Sequence, residues 1–290
     1  MNVICAKTAG FCFGVERAVN TVYEALASDR AKIYTYGPII HNESVVKELE
    51  EKGVSIISSP EELENIDEGC VIIRSHGVSR QVYETMDKKG IEYIDATCPF
   101  VLKIHTLVQE ASERGDYVVV AGDRLHPEVE GILSFAGENV TVIKDDKEAE
   151  AFRPPSDKKL FLVAQTTFNS NIFNKIVEIF DKKRYYYNTV RTICNATALR
   201  QQETAELAGS VDAMIVIGGA HSSNTRKLYD IAKDRCDNTI FVQTLDDLVS
   251  SKDAIGNPAS CIGITAGAST PKNIIEEVQN YVRRFWTDVG

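Results

Sequence analysis

Asp95-Ala96-Thr97-Cys98-Pro99-Phe100-Val101 decides how the rest of the chain is read. An apolar strand, Ile91 to Ile94, runs into it, and a helical pattern reaching Arg114 runs out of it. Cys98 therefore stands where a strand ends and a helix begins. Cys12, in Gly10-Phe11-Cys12-Phe13-Gly14, and Cys194, in Thr192-Ile193-Cys194-Asn195-Ala196-Thr197, also precede helices. A helix N-terminus lowers a thiol's pKa, so these positions are the ones best suited to be thiolates. They lie 86 and 96 residues apart, almost a third of the chain each time. Three thiolates from three similar thirds point to one shared site at a central junction.

Outward from these turns the rhythm is strand, turn, helix. Val3 to Ala6, Ile33 to Tyr36, Val54 to Ile57 and Val71 to Arg74 read as strands, with Asn42 and Ser79 as N-caps of helices ending at Gly53 and Gly90. Tyr117 to Ala121, Val140 to Ile143 and Leu160 to Ala164 repeat the plan, with Glu148 to Lys159 expected as a surface loop. Ala213 to Ile217, Thr239 to Val242 and Cys261 to Thr265 follow, and a last helix is expected from near Pro271 to Trp286. Alternating strands and helices predict an α/β fold of three small units with mostly parallel sheets and pseudo-threefold similarity. The units are drawn at 1–97, 98–193 and 194–290.

Composition narrows the function. Hydrophobic residues are 43% and charged residues 26%, ordinary for a globular chain. No stretch approaches the ~20 apolar residues of a membrane span, and the N-terminus reads as a strand rather than a signal peptide, so a cytoplasmic protein with no membrane partner is expected. The net charge of −10 argues against a nucleic-acid partner. Seven cysteines in a reducing compartment read as ligands, nucleophiles or buried fillers rather than disulfides. Cys5, Cys70, Cys236 and Cys261 lie in or beside apolar strands or on a helix and read as fillers. His105, inside a helical pattern, reads as a surface or packing residue.

In open α/β sheets, ligands bind off the carboxyl ends of the strands. Those ends carry His41 and His76, His126 with Glu128, Thr166 with Thr167, Ser222-Ser223-Asn224, and Ser269. Hydroxyls, amides, backbone N–H groups and helix N-termini all favour phosphate oxygens, and histidines add donors. With no P-loop and no dinucleotide fingerprint, a small phosphorylated ligand is expected. Three thiolates can hold zinc with an open position, or an iron–sulfur cluster with one iron unliganded. A zinc hydrolase and a non-catalytic phosphate- or cluster-binding sensor are the rival readings. Glu128 alone would read as a first-turn acid favoured by the helix dipole.

Ordered motifs run nearly the length of the chain. They are Gly10-Phe11-Cys12-Phe13-Gly14-Val15, His41-Asn42, Arg74-Ser75-His76-Gly77-Val78, Asp95-Ala96-Thr97-Cys98-Pro99 and His126-Pro127-Glu128-Val129, then Gln165-Thr166-Thr167, Cys194-Asn195-Ala196-Thr197 with Arg200-Gln201, Ser222-Ser223-Asn224, and Thr265-Ala266-Gly267-Ala268-Ser269. Together they resemble the 4-hydroxy-3-methylbut-2-enyl diphosphate reductase family of the methylerythritol phosphate route to isoprenoids. The resemblance implies a trefoil of three α/β units around one 4Fe–4S cluster. Cys12, Cys98 and Cys194 would be its ligands, leaving one open iron for the substrate's hydroxyl. It implies an allylic diphosphate substrate bound by His41, His76, His126, Ser222, Ser223, Asn224 and Ser269. Glu128 would be the proton donor, with Thr166 near the substrate hydroxyl and Thr167 beside it. Ferredoxin or flavodoxin is the implied electron donor, with Lys182-Lys183-Arg184 or Arg283-Arg284 as candidate docking charges. Phe13, Ser75 and His221 depart from the family's pattern of Ala, Ala and Asn, none at a ligand position.

Overall fold

Runs such as Val118-Val119-Val120 and Met214-Ile215-Val216-Ile217 have no polar face, and they form strands buried on both sides. The computed structural model describes residues 2–28, 30, 32–251 and 260–285. Every strand pairing in it is parallel.

Among the described residues there are three four-stranded sheets. The first has β2 (Ile33–Tyr36), β3 (Val54–Ile57), β4 (Cys70–Ile73) and β5 (Glu92–Asp95), in the order β3-β2-β4-β5. The second has β6 (Tyr117–Ala121), β7 (Val140–Ile143), β8 (Leu160–Ala164) and β9 (Tyr187–Thr189), in the order β7-β6-β8-β9. The third has β10 (Ala213–Ile217), β11 (Thr239–Val242) and β12 (Cys261–Ala266), and its fourth strand is the chain's first, β1 (Asn2–Cys5). Its order, β11-β10-β12-β1, repeats the other two, with Val3 in register with Ile262. The α/β fold of three parallel-sheet units is therefore as expected. The N-terminal strand serves the last sheet, a pairing across most of the chain that no local pattern encodes.

Contacts group residues 1–15, 41–45 and 195–290 into one compact unit, and 16–40 and 46–194 into another. In the first unit the period of two along β10 sends Ile215 and Ile217 into one core with Ile264 and Val278, and Met214 and Val216 into another with Leu228. In the second unit β6 does the same, with Val119 and Ala121 on one side and Val118 and Val120 on the other.

A helix follows every described strand, including β3, β7 and β11, after which none is expected. The stretch expected as a loop from Glu148 begins in α7 (Asp146–Ala151), because Asp145 accepts the Glu148 amide at 2.8 Å and Glu148 reaches back to the Lys144 amide. The same reciprocal cap, Ser59 with Glu62, starts the short α3 (Pro60–Glu64). Asn42 caps α2 (Glu43–Glu51) through the Val45 amide at 3.1 Å. Ser79 occupies the N-cap of α4 (Arg80–Lys89), but its side chain makes no capping bond. The last helix, α12, spans Lys272–Phe285; its expected reach to Trp286 lies outside the described residues. No described helix is long and apolar enough to cross a membrane.

Candidate functional site

The turn after β5 is built by its own residues. Asp95 Oδ1 accepts the Thr97 amide at 2.8 Å, and the Arg17 guanidinium donates to the Thr97 carbonyl at 2.6 Å. This delivers Cys98 to the N-cap of α5 (Pro99–Glu113), where its amide donates to Ser75 O at 2.9 Å. The Cys98 side chain makes no capping bond and is half-buried. Cys194 directly precedes α9 (Asn195–Ala208) and donates its amide to Thr166 O at 3.1 Å. Cys12 directly precedes α1 (Phe13–Leu26), and its amide donates to Ala268 O. All three are half-buried, so the expected setting at helix starts is found at each. Cys70 and Cys236 are buried, as expected of fillers, and Cys5 and Cys261 are partly buried on strands. Burial pushes the Cys5 and Cys70 thiols up, away from thiolate character.

In the second unit, α6 (Pro127–Ala136) begins with His126 as N-cap. The Glu128 amide donates to His126 Nδ1 at 3.1 Å. A ring nitrogen that accepts carries no proton, so the neutral ring holds its hydrogen on Nε2 as a donor. The His76 ring stands edge-on to it, with centroids 5.4 Å apart. Glu128 is 1% exposed. The Thr166 amide donates to its Oε1 at 2.6 Å and the Thr166 hydroxyl to its Oε2 at 2.7 Å. Burial raises the Glu128 carboxyl to about 7, and the two Thr166 bonds offset only part of that. Thr166 thus touches Glu128 through its hydroxyl and amide, and Cys194 through its carbonyl. Gln165 holds the same turn, donating to Thr167 Oγ1 at 3.1 Å and accepting the Asp123 amide. The structure brings His76, His126, Glu128 and Thr166 together off the ends of β4, β6 and β8.

In the first unit, Ser269 Oγ donates to the His41 carbonyl at 2.9 Å. A Cβ at Gly219 would lie 2.5 Å from that same oxygen, so only glycine lets the loop after β10 approach so closely. The loop leads into α10 (Ser223–Lys233), whose N-cap Ser222 accepts the Thr225 amide at 3.2 Å. Asn224 is 4% exposed, and among the described residues neither atom of its amide has a partner. His41, Ser222, Asn224 and Ser269 are thus gathered around one helix start, with Ser223 half-buried beside them. His221 is exposed. Such a start, with hydroxyls and an unpartnered amide, suits an anion.

Arg200, quoted above only as part of a motif, and Glu203, for which no role is expected, frame the Cys12 loop. Arg200 donates to Thr8 O and Gly10 O, each at 2.7 Å. Glu203 accepts the Lys7 and Thr8 amides and the Thr8 hydroxyl. The signal for Arg200 was its place in the motif after Cys194; Glu203 had none. Of the surface and packing roles, His105 has the packing one: it is 4% exposed and stacked on Phe135 at 4.4 Å.

Repeated parallel sheets with polar groups at their carboxyl ends, a buried acid and cysteines at helix starts define an α/β protein whose strand ends carry groups suited to a small anion. The chain belongs to the LytB protein family, whose sequence profile matches residues 3–283. A 4-hydroxy-3-methylbut-2-enyl diphosphate reductase of Caldanaerobacter subterraneus is 43% identical over 96% of this chain and 95% of its own length. The solved E-1-hydroxy-2-methyl-but-2-enyl-4-diphosphate reductase of Plasmodium falciparum is 30% identical with TM-score 0.91, covering 98% of this chain and 89% of that one. A solved (E)-4-hydroxy-3-methyl-but-2-enyl diphosphate reductase, the terminal enzyme of the non-mevalonate pathway, is 40% identical with TM-score 0.66, covering 98% of this chain and all of that one.

Proposed function

We propose that this chain is an iron–sulfur reductase. It removes the hydroxyl of (E)-4-hydroxy-3-methylbut-2-enyl diphosphate to give isopentenyl and dimethylallyl diphosphates, closing the methylerythritol phosphate route to isoprenoids. The observation that carries this reading is Glu128. It is a buried acid with a pKa near neutrality, clasped by Thr166, whose carbonyl holds the Cys194 turn. Relatives similar over nearly the full chain carry the reductase name.

Cys12, Cys98 and Cys194 suit a 4Fe–4S cluster. Three soft sulfur donors sit half-buried at helix starts, and their number leaves one iron open. When bound, the cluster supplies electrons one at a time and a Lewis-acidic iron. The protein's own residues do the rest. His126 Nε2–H, His76, His41, Ser222, Ser223, Asn224 and Ser269 hold the diphosphate, whose charge suits hydrogen-bond donors and a helix N-terminus. Thr167 borders the same turn. A near-neutral pKa keeps much of Glu128 protonated at physiological pH, so it can give a proton to the departing oxygen. Thr166 orients that carboxyl and can pass the proton from its hydroxyl. Two electrons and two protons enter, the C–O bond breaks, and water leaves. The second proton reaches one or the other end of the allyl group, which gives the two products. Ferredoxin or flavodoxin fits the need for single electrons.

Protein purified anaerobically should be brown and carry iron and sulfide. After reduction with a viologen dye it should convert the allylic diphosphate to both isomers. A colourless protein carrying zinc would replace the reading with the hydrolase one, and unchanged substrate would leave only a binding role.

A further inference from the structure

Behind the His76 turn, in the second unit, lies a cavity of about 260 Å³ that the proposed reaction does not use. Its wall includes Arg74, Glu130, Tyr36, Ser58, Leu63 and Val82. The two charged groups are the informative ones. Arg74 is partly buried, and its Nε donates to Gly77 O at 3.2 Å. Its guanidinium lies against Gly37, where a Cβ would collide with Nη1. Among the described residues no carboxylate comes within 4.0 Å of it. Burial lowers its pKa from the ordinary value, and the fields of Glu130 and Tyr36 offset part of this. A partly desolvated cation with no carboxylate at ion-pair distance can take an anion. Glu130, one turn beyond Pro127 on α6, lines the same wall and makes no ion pair among the described residues either.

We infer that this cavity is a second ligand site, for a small zwitterion of the α-amino-acid type with an apolar side chain. Its carboxylate pairs with the Arg74 Nη groups and its ammonium with Glu130. The apolar wall of Leu63, Val82 and Ile57 takes the side chain. The volume is below the usual range of drug-sized pockets and suits a molecule of about ten heavy atoms. An inorganic anion would leave the apolar wall empty and face Glu130, and a diamine would face Arg74. The site stands independently of the reaction that the histidines serve. It touches their turn nonetheless, because Arg74 holds the carbonyl of Gly77, the residue after His76.

The test is calorimetric titration of the purified, anaerobically handled full chain with leucine, 4-methylpentanoate and leucinamide. Leucine should bind saturably; leucinamide, which lacks the carboxylate for Arg74, should bind about tenfold or more weakly, and 4-methylpentanoate, which lacks the ammonium for the exposed Glu130, about two- to fivefold more weakly. Arg74→Gln should weaken leucine by a factor similar to leucinamide's, with its far-UV circular dichroism unchanged. Glu130→Gln, on an exposed helix position, should weaken leucine but not 4-methylpentanoate. No saturable binding of leucine up to about 10 mM, a free energy near −3 kcal/mol, would overturn the site. Equal binding of leucine and 4-methylpentanoate would overturn the zwitterion assignment. If Arg74→Gln does not fold, the leucine-to-leucinamide ratio decides the guanidinium's part: parity overturns it.

Discussion

Replacing Glu128 with Gln separates proton delivery from structure. The amide keeps an oxygen for the Thr166 N–H, now 2.6 Å from Oε1. Its NH₂ would face Thr166 Oγ1, now 2.7 Å from Oε2, and the hydroxyl need only turn to accept. The geometry should therefore survive, while the proton is lost. Turnover should fall by about 10² or more, the range for a missing general acid, with substrate affinity and iron content kept. A second effect follows from burial. The carboxyl's pKa is raised from 4.5 to about 7 in the folded chain. Between those values the folded state holds a proton that the unfolded state has released. Stability therefore falls as pH rises through that window and is level above it. A shift of that size corresponds to about 3 kcal/mol as an upper estimate. Urea denaturation of Glu128→Gln should lack that decline, making the variant the more stable protein near pH 8 and not near pH 4.5. Wild-type turnover with an intact iron site would refute the proton-donor role. An unchanged pH slope would refute the burial argument.

The other expectations are narrower. Gly219→Ala would set a Cβ 2.5 Å from the His41 carbonyl, so it should cost about 1–3 kcal/mol and weaken diphosphate binding; wild-type melting and affinity would show that the loop yields. Cys98→Ser should abolish iron loading, whereas Cys70→Ser, buried in β4, should load normally; equal losses would erase the division between ligands and fillers. Burial lowers His105 from 6.5 to about 4, so the unfolded chain binds its proton first and stability drops as pH falls through that interval. His105→Phe keeps the stack on Phe135 and should remove this acid-side loss; an undiminished loss would assign it elsewhere.

What could be read in advance was what is local. Doubly buried strands such as β8 and β10 show as unbroken apolar runs, and turns bearing Cys98, His126 or Ser222 show as motifs between a strand and a helix. Elements whose start depends on one side-chain bond were harder. α7 hangs on Asp145, just before the stretch expected as a loop, and α3 on Ser59, in a segment for which no element is expected. β9, Tyr187-Asn188-Thr189, is a three-residue edge strand, too short to show a period. β1 reads as a strand, but its partner β12 lies at the other end of the chain. The same holds at the site. The acid, its threonine and the histidines announce themselves, whereas Arg200 and Glu203 matter only because α9 meets the Cys12 loop.

The most direct test of the reductase reading is a count of electrons. The anaerobic protein, supplied with a one-electron-reduced viologen dye, should oxidise about two equivalents of dye for each equivalent of (E)-4-hydroxy-3-methylbut-2-enyl diphosphate added, as the balance of a two-electron dehydroxylation requires. The non-phosphorylated alcohol should give little at the same concentration. No dye oxidation with the diphosphate, in a protein whose iron and sulfide are in place, would contradict the account.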